Sequence, residues 1–247
     1  FARAGLSGPD LTRAVAVIDL PGLIVDEGEA TAPFRRGIAW PAEMAAATGL
    51  APGRPLDLAA AVRALQPTIL VGATGAPGTF TEAAIREMAA HAERPLILPL
   101  SNPTSYSEAR PVDLLEWTAG RALVATGSPF APVKLEGRAV RIAQANNAFI
   151  FPGLGLGTLV AAAREVTDGM LLAAAERLAE EPAARARGEE ALFPTMAELR
   201  PVSACVAQAV VQEARRAGVG VDVPDERIPG AVSEEMWEPV YPSLQPY

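Results

Sequence analysis

The chain has 247 residues, of which half are apolar, and it carries a net charge of −8. This length and composition suffice for one large core in a globular protein. The acidic balance excludes a broad positive surface, so we expect neither nucleic acid nor a membrane as a partner. One cysteine and one histidine exclude an internal disulfide and a His/Cys zinc site, and they favour a cytoplasmic setting.

The first half of the sequence predicts strands and helices in alternation. The apolar run 15–19 precedes Pro21-Gly22, which predicts a buried parallel strand that opens into a turn. Asp57 is a candidate N-cap for a helix over 57–65, which Pro67 ends. A second strand is predicted at 68–72, followed by a helix over 81–90 that begins at Thr79 or Thr81.

Further strands are predicted at 94–100 and 122–126, with a helix at 112–117 between them. Such alternation predicts an α/β fold with a doubly wound, Rossmann-like parallel sheet. From residue 151 the sequence becomes Ala-rich and helical, over 157–180 and 201–217, and it ends in a proline-rich tail. We therefore predict a partial α/β domain at 1–150, and C-terminal helices with an extended tail at 151–247 that pack on it.

Ligands of such sheets bind at the carboxyl ends of the strands, where the candidate site residues lie. Asp19 could accept hydrogen bonds from a ribose hydroxyl, but the bare sequence favours the alternative, an aspartate that caps a helix or a turn before Pro21-Gly22. Gly72 and Ala73 begin a Gly/Pro loop that either approaches a ligand closely or simply connects a strand to a helix.

Asparagine side chains are the most informative polar groups, because an amide offers a donor and an acceptor without charge. Asn102 and the pair Asn146-Asn147 could therefore grip a carboxylate or a nicotinamide amide. A turn residue is the alternative for Asn102, and local capping could explain one of the pair. The glycines of 153–157 lack the third glycine of a dinucleotide fingerprint, which indicates close packing at a helix start.

Four blocks, in this order and spacing, resemble the cofactor-binding domain of malic enzymes. The blocks are Pro67–Thr81, Arg94–Thr104, Ala125–Phe130 and Gln144–Gly153. The resemblance covers essentially the whole chain. Its Ser-Asn-Pro-Thr and Asn-Asn-x-x-Ile-Phe-Pro-Gly segments are the most specific parts.

The resemblance implies a function: oxidative decarboxylation of malate to pyruvate and carbon dioxide, with NAD or NADP and a Mg or Mn ion. Asp19 matches the acid that binds the adenosine ribose, and Gly72 and Ala73 match the loop along the dinucleotide. Asn102 matches a residue that contacts the nicotinamide side and malate. Asn147 matches one that holds the malate carboxylate and also lies beside the cofactor.

The resemblance also implies that the proton-transfer groups and the acidic metal ligands lie upstream of this chain. The chain begins at Phe1 without a Gly-rich fingerprint, so we expect it to lack the first βα unit and to be inactive alone. No catalytic or metal-binding residue is assigned within it. The open sheet edge left by the missing unit predicts association into a homo-oligomer.

Leu20, directly after Asp19, favours NAD, although Arg35 and Arg36 are available for the 2′-phosphate of NADP. Two other functions stay open. One is a Rossmann-type dehydrogenase for another hydroxy acid or an amino acid, which gives no reason for the Asn-Asn block. The other is a non-catalytic module for dinucleotide binding or assembly.

Overall fold

The computed structural model describes residues 2, 5–20, 22–50, 57–135, 137–180 and 192–238. These residues form two compact units. The first contains the residues up to Ser101 together with Ser105–Leu123, and the second contains Asn102–Thr104 together with the residues from Val124 onward. The predicted domains 1–150 and 151–247 stay a prediction.

The helices of the described residues are α1 (Gly8–Arg13), α2 (Pro33–Arg36), α3 (Ala42–Ala47), α4 (Leu58–Leu65), α5 (Glu82–His91), α6 (Pro111–Trp117), α7 (Phe151–Val160), α8 (Asp168–Ala179), α9 (Leu199–Arg216) and α10 (Ile228–Glu235). Their strands are β1 (Ile18–Asp19), β2 (Gly22–Leu23), β3 (Val25–Asp26), β4 (Trp40–Pro41), β5 (Ile69–Gly72), β6 (Leu96–Pro99), β7 (Leu123–Thr126), β8 (Val133–Leu135), β9 (Arg138–Val140) and β10 (Ala143–Gln144).

The first unit begins with short strands around a small core of its own. β1 pairs with β2 in antiparallel orientation, and β3 pairs with β4 in parallel. The predicted buried parallel strand at 15–19 is therefore wrong. Gly22 adopts a φ of 115°, a left-handed conformation that lets the chain reverse directly after Asp19 and pair with itself. The core beneath these strands contains Leu23, Val25, Trp40, Ala45 and Leu50.

The rest of the first unit confirms the predicted alternation. Asp57 accepts a hydrogen bond from the Ala59 amide at the start of α4, and Thr81 accepts one from the Ala84 amide at the start of α5. β5 and β6 are parallel and in register, so that Gly72 lies opposite Pro99 at their carboxyl ends. α5 packs between α4 and α6. The fully buried side chains here include Ile85, Met88, Ile97, Leu114 and Leu115.

The second unit contains another parallel pair, in which Thr126 of β7 lies opposite Gln144 of β10. β8 and β9 form an antiparallel hairpin. The helical part is interrupted at 161–167, so the predicted helical stretch 157–180 is two helices, α7 and α8. Thr167 causes the restart, because its hydroxyl accepts the Met170 amide as an N-cap. Residues 239–247 of the predicted tail lie outside the described residues.

α9 is the central helix of the second unit and packs against α7, α8 and α10. Two glycines let α7 approach it closely. A Cβ atom on Gly153 would lie 2.6 Å from Val206 Cβ, and one on Gly157 would lie 2.7 Å from the Ala207 carbonyl oxygen. The close-packing interpretation of the 153–157 glycines is thereby confirmed. Within the described residues, no helix combines the length and the hydropathy needed to span a membrane.

Candidate functional site

Asp19 lies in the β1–β2 hairpin of the first unit, where its carboxylate makes two local contacts. Oδ1 accepts the Leu20 amide at 2.8 Å, and Oδ2 accepts a hydrogen bond from Arg35 Nη2 at 2.9 Å. The turn-capping role is therefore present. The carboxylate is still 45% exposed, so it can accept further hydrogen bonds from a ligand.

The two arginines that could meet a 2′-phosphate are both engaged within the first unit. Arg35 forms the ion pair with Asp19. Arg36 donates from Nε to the Thr31 carbonyl and from Nη2 to the Gly28 carbonyl. The positive charge closest to Asp19 is thus already paired with a carboxylate.

Gly72, the last residue of β5, is buried, whereas Ala73 and the loop to Gly78 are exposed. A Cβ atom on Gly72 would lie 2.7 Å from Glu108 Cδ and 2.7 Å from Phe80 Cζ. The side chains of Glu108 and Phe80 leave no room for a Cβ atom, so this position requires glycine. Its contact with a cofactor stays a prediction.

The side chain beneath Gly72 is Glu108, which is fully buried. Its Oε1 accepts hydrogen bonds from the Thr74 amide at 2.8 Å, from the Thr74 hydroxyl at 2.9 Å and from the Ser101 hydroxyl. Its Oε2 accepts the Ser101 amide at 3.4 Å. The donors that reach this carboxylate in the described part of the chain are uncharged. The buried anion is therefore stabilised by hydrogen bonds from neutral groups.

The hydroxyls of Ser101 and Thr74 also bind the loop that follows β5. Ser101 Oγ accepts the Gly75 amide at 2.8 Å, while Thr74 Oγ1 accepts the Ala76 amide at 3.1 Å. Each hydroxyl therefore donates its hydrogen to Glu108 and accepts a loop amide with its oxygen. The carboxylate connects the ends of β5 and β6 through this network and fixes the course of the loop.

The pKa of Glu108 reflects a competition. Burial by itself raises the pKa of this carboxyl group, but the hydrogen bonds from the Ser101 hydroxyl, the Thr74 amide and the Thr74 hydroxyl outweigh burial and lower the pKa below its ordinary value of 4.5. The group is consequently ionised at neutral pH.

This lowered pKa predicts an acid-dependent stability. A carboxyl group with a lower pKa in the folded state than in the unfolded state stabilises the fold above the unfolded value, and the contribution disappears as the pH falls through the folded value. The difference in free energy of unfolding between the natural chain and Glu108→Gln should thus be constant from neutral pH down to about 5 and should shrink below the ordinary value of 4.5. Urea titrations across this range measure it. An unchanged difference at pH 3 would contradict the assignment of the lowered pKa to Glu108.

Sequence reasoning missed Glu108 because no periodic pattern marks it. It lies in an irregular segment before α6, and its contact with Thr74 joins residues 34 positions apart. The one available signal is its position shortly after the Ser-Asn-Pro-Thr block.

Asn102, which belongs to the second unit, is exposed and lies against the turn after β7. Its Oδ1 accepts a hydrogen bond from the buried Ser128 hydroxyl. The same turn is fixed by two further hydrogen bonds. The Thr126 hydroxyl donates to the Ser128 carbonyl at 2.7 Å, and the side-chain amide of Gln144 donates to the Gly127 carbonyl at 3.1 Å. The orientation of Asn102 is therefore set by β7 and β10 together.

The adjacent asparagines have different surroundings. Asn146 Oδ1 accepts the Ala148 amide at 2.9 Å and caps the short 3-10 turn Asn147–Phe149, so local capping does explain one member of the pair. Asn147 is exposed, directly before the buried Phe149. Of the two amides, that of Asn147 is thus the one presented to solvent.

Metal ligands were not predicted for this chain. Among the described residues, no group of three or more His, Cys, Asp or Glu side chains is arranged to hold a metal ion.

Parallel strand pairs flanked by helices, with small and polar residues at their carboxyl ends, define an α/β domain of the Rossmann-like class. A family described as "Malic enzyme, NAD binding domain" matches residues 1–215. The chain belongs to the malic enzyme family and corresponds to this domain.

Relatives agree with this family. The chain is 44% identical to a protein of Sodalis glossinidius named NAD-dependent malic enzyme. The alignment of 238 residues covers 96% of this chain and 42% of that protein. The chain is also 43% identical to NAD-dependent malic enzyme 3 of Bacillus subtilis. This alignment of 246 residues covers 99% of this chain and 43% of that protein. The chain therefore spans less than half the length of these relatives.

Solved structures share the fold. The malic enzyme of Entamoeba histolytica has a TM-score of 0.66 at 23% identity, over 89% of this chain and 41% of that one. The malic enzyme of Pyrococcus horikoshii has a TM-score of 0.61 at 25% identity, over 82% of this chain and 41% of that one. These likenesses confirm the predicted α/β class.

Proposed function

We propose that this chain binds NAD within a malic enzyme and that the full-length protein converts malate to pyruvate and carbon dioxide. The observation that carries the proposal is the exposed loop after β5, which is held in one conformation by Glu108 in a chain of the malic enzyme family. Asp19, Ala73, Asn102 and Asn147 are all exposed, so each is accessible to a cofactor or a substrate.

The residues of this chain fit parts of a dinucleotide. Asp19 would accept hydrogen bonds from the adenosine ribose, Gly72 and Ala73 would line the dinucleotide, and Asn102 would hold the nicotinamide side. NAD, when bound, supplies the hydride acceptor. NAD is favoured over NADP, because a 2′-phosphate next to Asp19 would face its carboxylate and compete with it for Arg35.

Malate would be held by the exposed amides of Asn102 and Asn147, which donate to carboxylate and hydroxyl oxygens. The resemblance to malic enzymes implies that the Mg or Mn ion and the proton-transfer groups are held by other parts of the full-length protein. No step of the reaction is assigned to a metal ligand of this chain.

We also propose a cytoplasmic homo-oligomer. Among the described residues β5 pairs with β6 alone, and the side chains of Ile69 and Val71 on β5 are 47% and 56% exposed. An unpaired strand edge with apolar side chains favours association. The free Cys205 fits a reducing compartment.

Kinetics of the full-length protein test the proposal. With malate and Mn²⁺, we expect reduction of NAD with equal amounts of pyruvate and carbon dioxide, a higher KM for NADP, and an oligomer by light scattering of the same sample. Reduction of NAD with another hydroxy acid or an amino acid, and not with malate, would establish the dehydrogenase alternative instead. Binding of NAD without any turnover would establish the binding module, and a monomer would refute the oligomer.

A further inference from the structure

We propose that Glu108 is a positioning residue for the dinucleotide, which acts through the hydroxyls of Thr74 and Ser101 to fix the loop after β5. This inference rests on the proposed binding of NAD. Glu108 is itself fully buried, so it acts on a ligand only through the groups that it orients.

The first argument is the charge of Glu108. Burial by itself disfavours the charged form of a carboxyl group, so an anion is kept inside a protein only where hydrogen bonds replace the lost water. In the described part of the chain, its donors are neutral: the groups of Thr74 and Ser101 and its own backbone amide. The anion is therefore tied to this one set of donors, and those donors are held where the anion requires them.

The second argument is the direction of the hydrogen bonds. An ionised carboxylate only accepts, so both hydroxyls must donate to it and must turn their lone pairs toward the loop. Those lone pairs accept the Gly75 and Ala76 amides. A glutamine at position 108 presents an NH₂ group as well, which permits either hydroxyl to reverse. The charge therefore selects one arrangement of the loop.

The third argument is the absence of a side chain at Gly72. An added Cβ would lie 2.7 Å from both Cγ and Cδ of Glu108, too close for either atom to keep its position. Glu108 can therefore occupy its place beneath the end of β5 only because position 72 is glycine.

The experiment compares Glu108→Gln with the natural sequence in the full-length protein, with NAD as the probe. We expect the KM for NAD to rise about ten-fold, the effect of losing one charge-assisted hydrogen bond. The kcat at saturating NAD and the KM for malate should change less than about two-fold, because the proposal gives Glu108 a role in NAD binding alone. Thermal unfolding identifies a temperature at which the variant is fully folded.

The matched control is Glu213→Gln. Glu213 is also a buried glutamate, but it lies in α9 and binds Arg216. We expect this variant to lose stability and to keep the KM for NAD. An equal rise in both variants would overturn the proposal, because any buried charge would then have the same effect.

A double-mutant cycle with Thr74→Val tests the route of the effect. Thr74→Val keeps the size of the side chain and removes the hydroxyl, and if Glu108 acts through that hydroxyl the double variant should be no worse than the more severe single variant. Additive effects would overturn the proposed route. If Glu108→Gln fails to fold, Thr74→Val and Ser101→Ala replace it: a raised KM for NAD in either supports the proposal, and natural values in both overturn it.

Failure of the two proposals can be distinguished. If the natural protein does not bind NAD, the proposed function fails and this inference fails with it. If the natural protein binds NAD and Glu108→Gln binds it equally well, the positioning role of Glu108 alone is refuted.

Discussion

Replacing Gly157 by alanine should lower the free energy of unfolding of the chain by about 2 kcal/mol. The added methyl group would lie 2.7 Å from the Ala207 carbonyl oxygen and 2.7 Å from Val210 Cβ. These atoms belong to the central helix of the second unit, so relief requires a shift of α9 itself. Such overpacking costs about 3 kcal/mol, and the better helix propensity of alanine recovers about 1 kcal/mol.

Gly155 provides the matched control on the same helix. A Cβ atom there meets nothing within 4 Å, so Gly155→Ala should raise the free energy of unfolding by up to about 1 kcal/mol. Urea unfolding followed by far-ultraviolet circular dichroism measures both variants. Equal stability of the two would show that α7 and α9 do not pack as closely as described.

Replacing Asn147 by alanine should lower kcat/KM for malate in the full-length protein by about 100-fold, the upper range for a lost hydrogen bond to a charged group. Asn147 is exposed and precedes the buried Phe149, so its removal should leave the thermal stability unchanged. Steady-state kinetics with malate as the varied substrate measure the first effect, and calorimetry measures the second.

The neighbouring asparagine is the control for this prediction. Asn146→Ala removes the cap on the Ala148 amide and should lower the stability by about 1 kcal/mol, with a smaller effect on kcat/KM. The reverse pattern, with activity lost in Asn146→Ala and stability lost in Asn147→Ala, would exchange the roles assigned to the pair.

Local signals in the sequence predict much of the fold. Asp57 and Thr81 cap α4 and α5 as expected, because the cap hydrogen bonds reach only two or three residues along the chain. The parallel strands β5 and β6 are recognisable because they are short apolar runs bounded by glycine and proline. The close approach of α7 to α9 follows from glycines at helical spacing.

The two failures concern one local turn and one contact between residues far apart in the chain. An apolar run at 15–19 is compatible with a buried strand, but Gly22 reverses the chain and leaves a two-residue hairpin. Glu108 has no local pattern at all, since its partners Thr74 and Ser101 come from the ends of two other elements. The site residues themselves were identified by resemblance to the family, and their ligand contacts stay predictions.

Three consecutive backbone amides of the loop after β5 donate hydrogen bonds within the protein. The Thr74 amide donates to Glu108, the Gly75 amide to Ser101 and the Ala76 amide to the Thr74 hydroxyl. A diphosphate, which needs donors, gains nothing from these positions. These three amides are therefore not available as a phosphate-binding site. Under the proposed function, the phosphates of a bound dinucleotide would have to be met by amides or cations outside residues 74–76, so that separate segments of the protein would share recognition of the ligand.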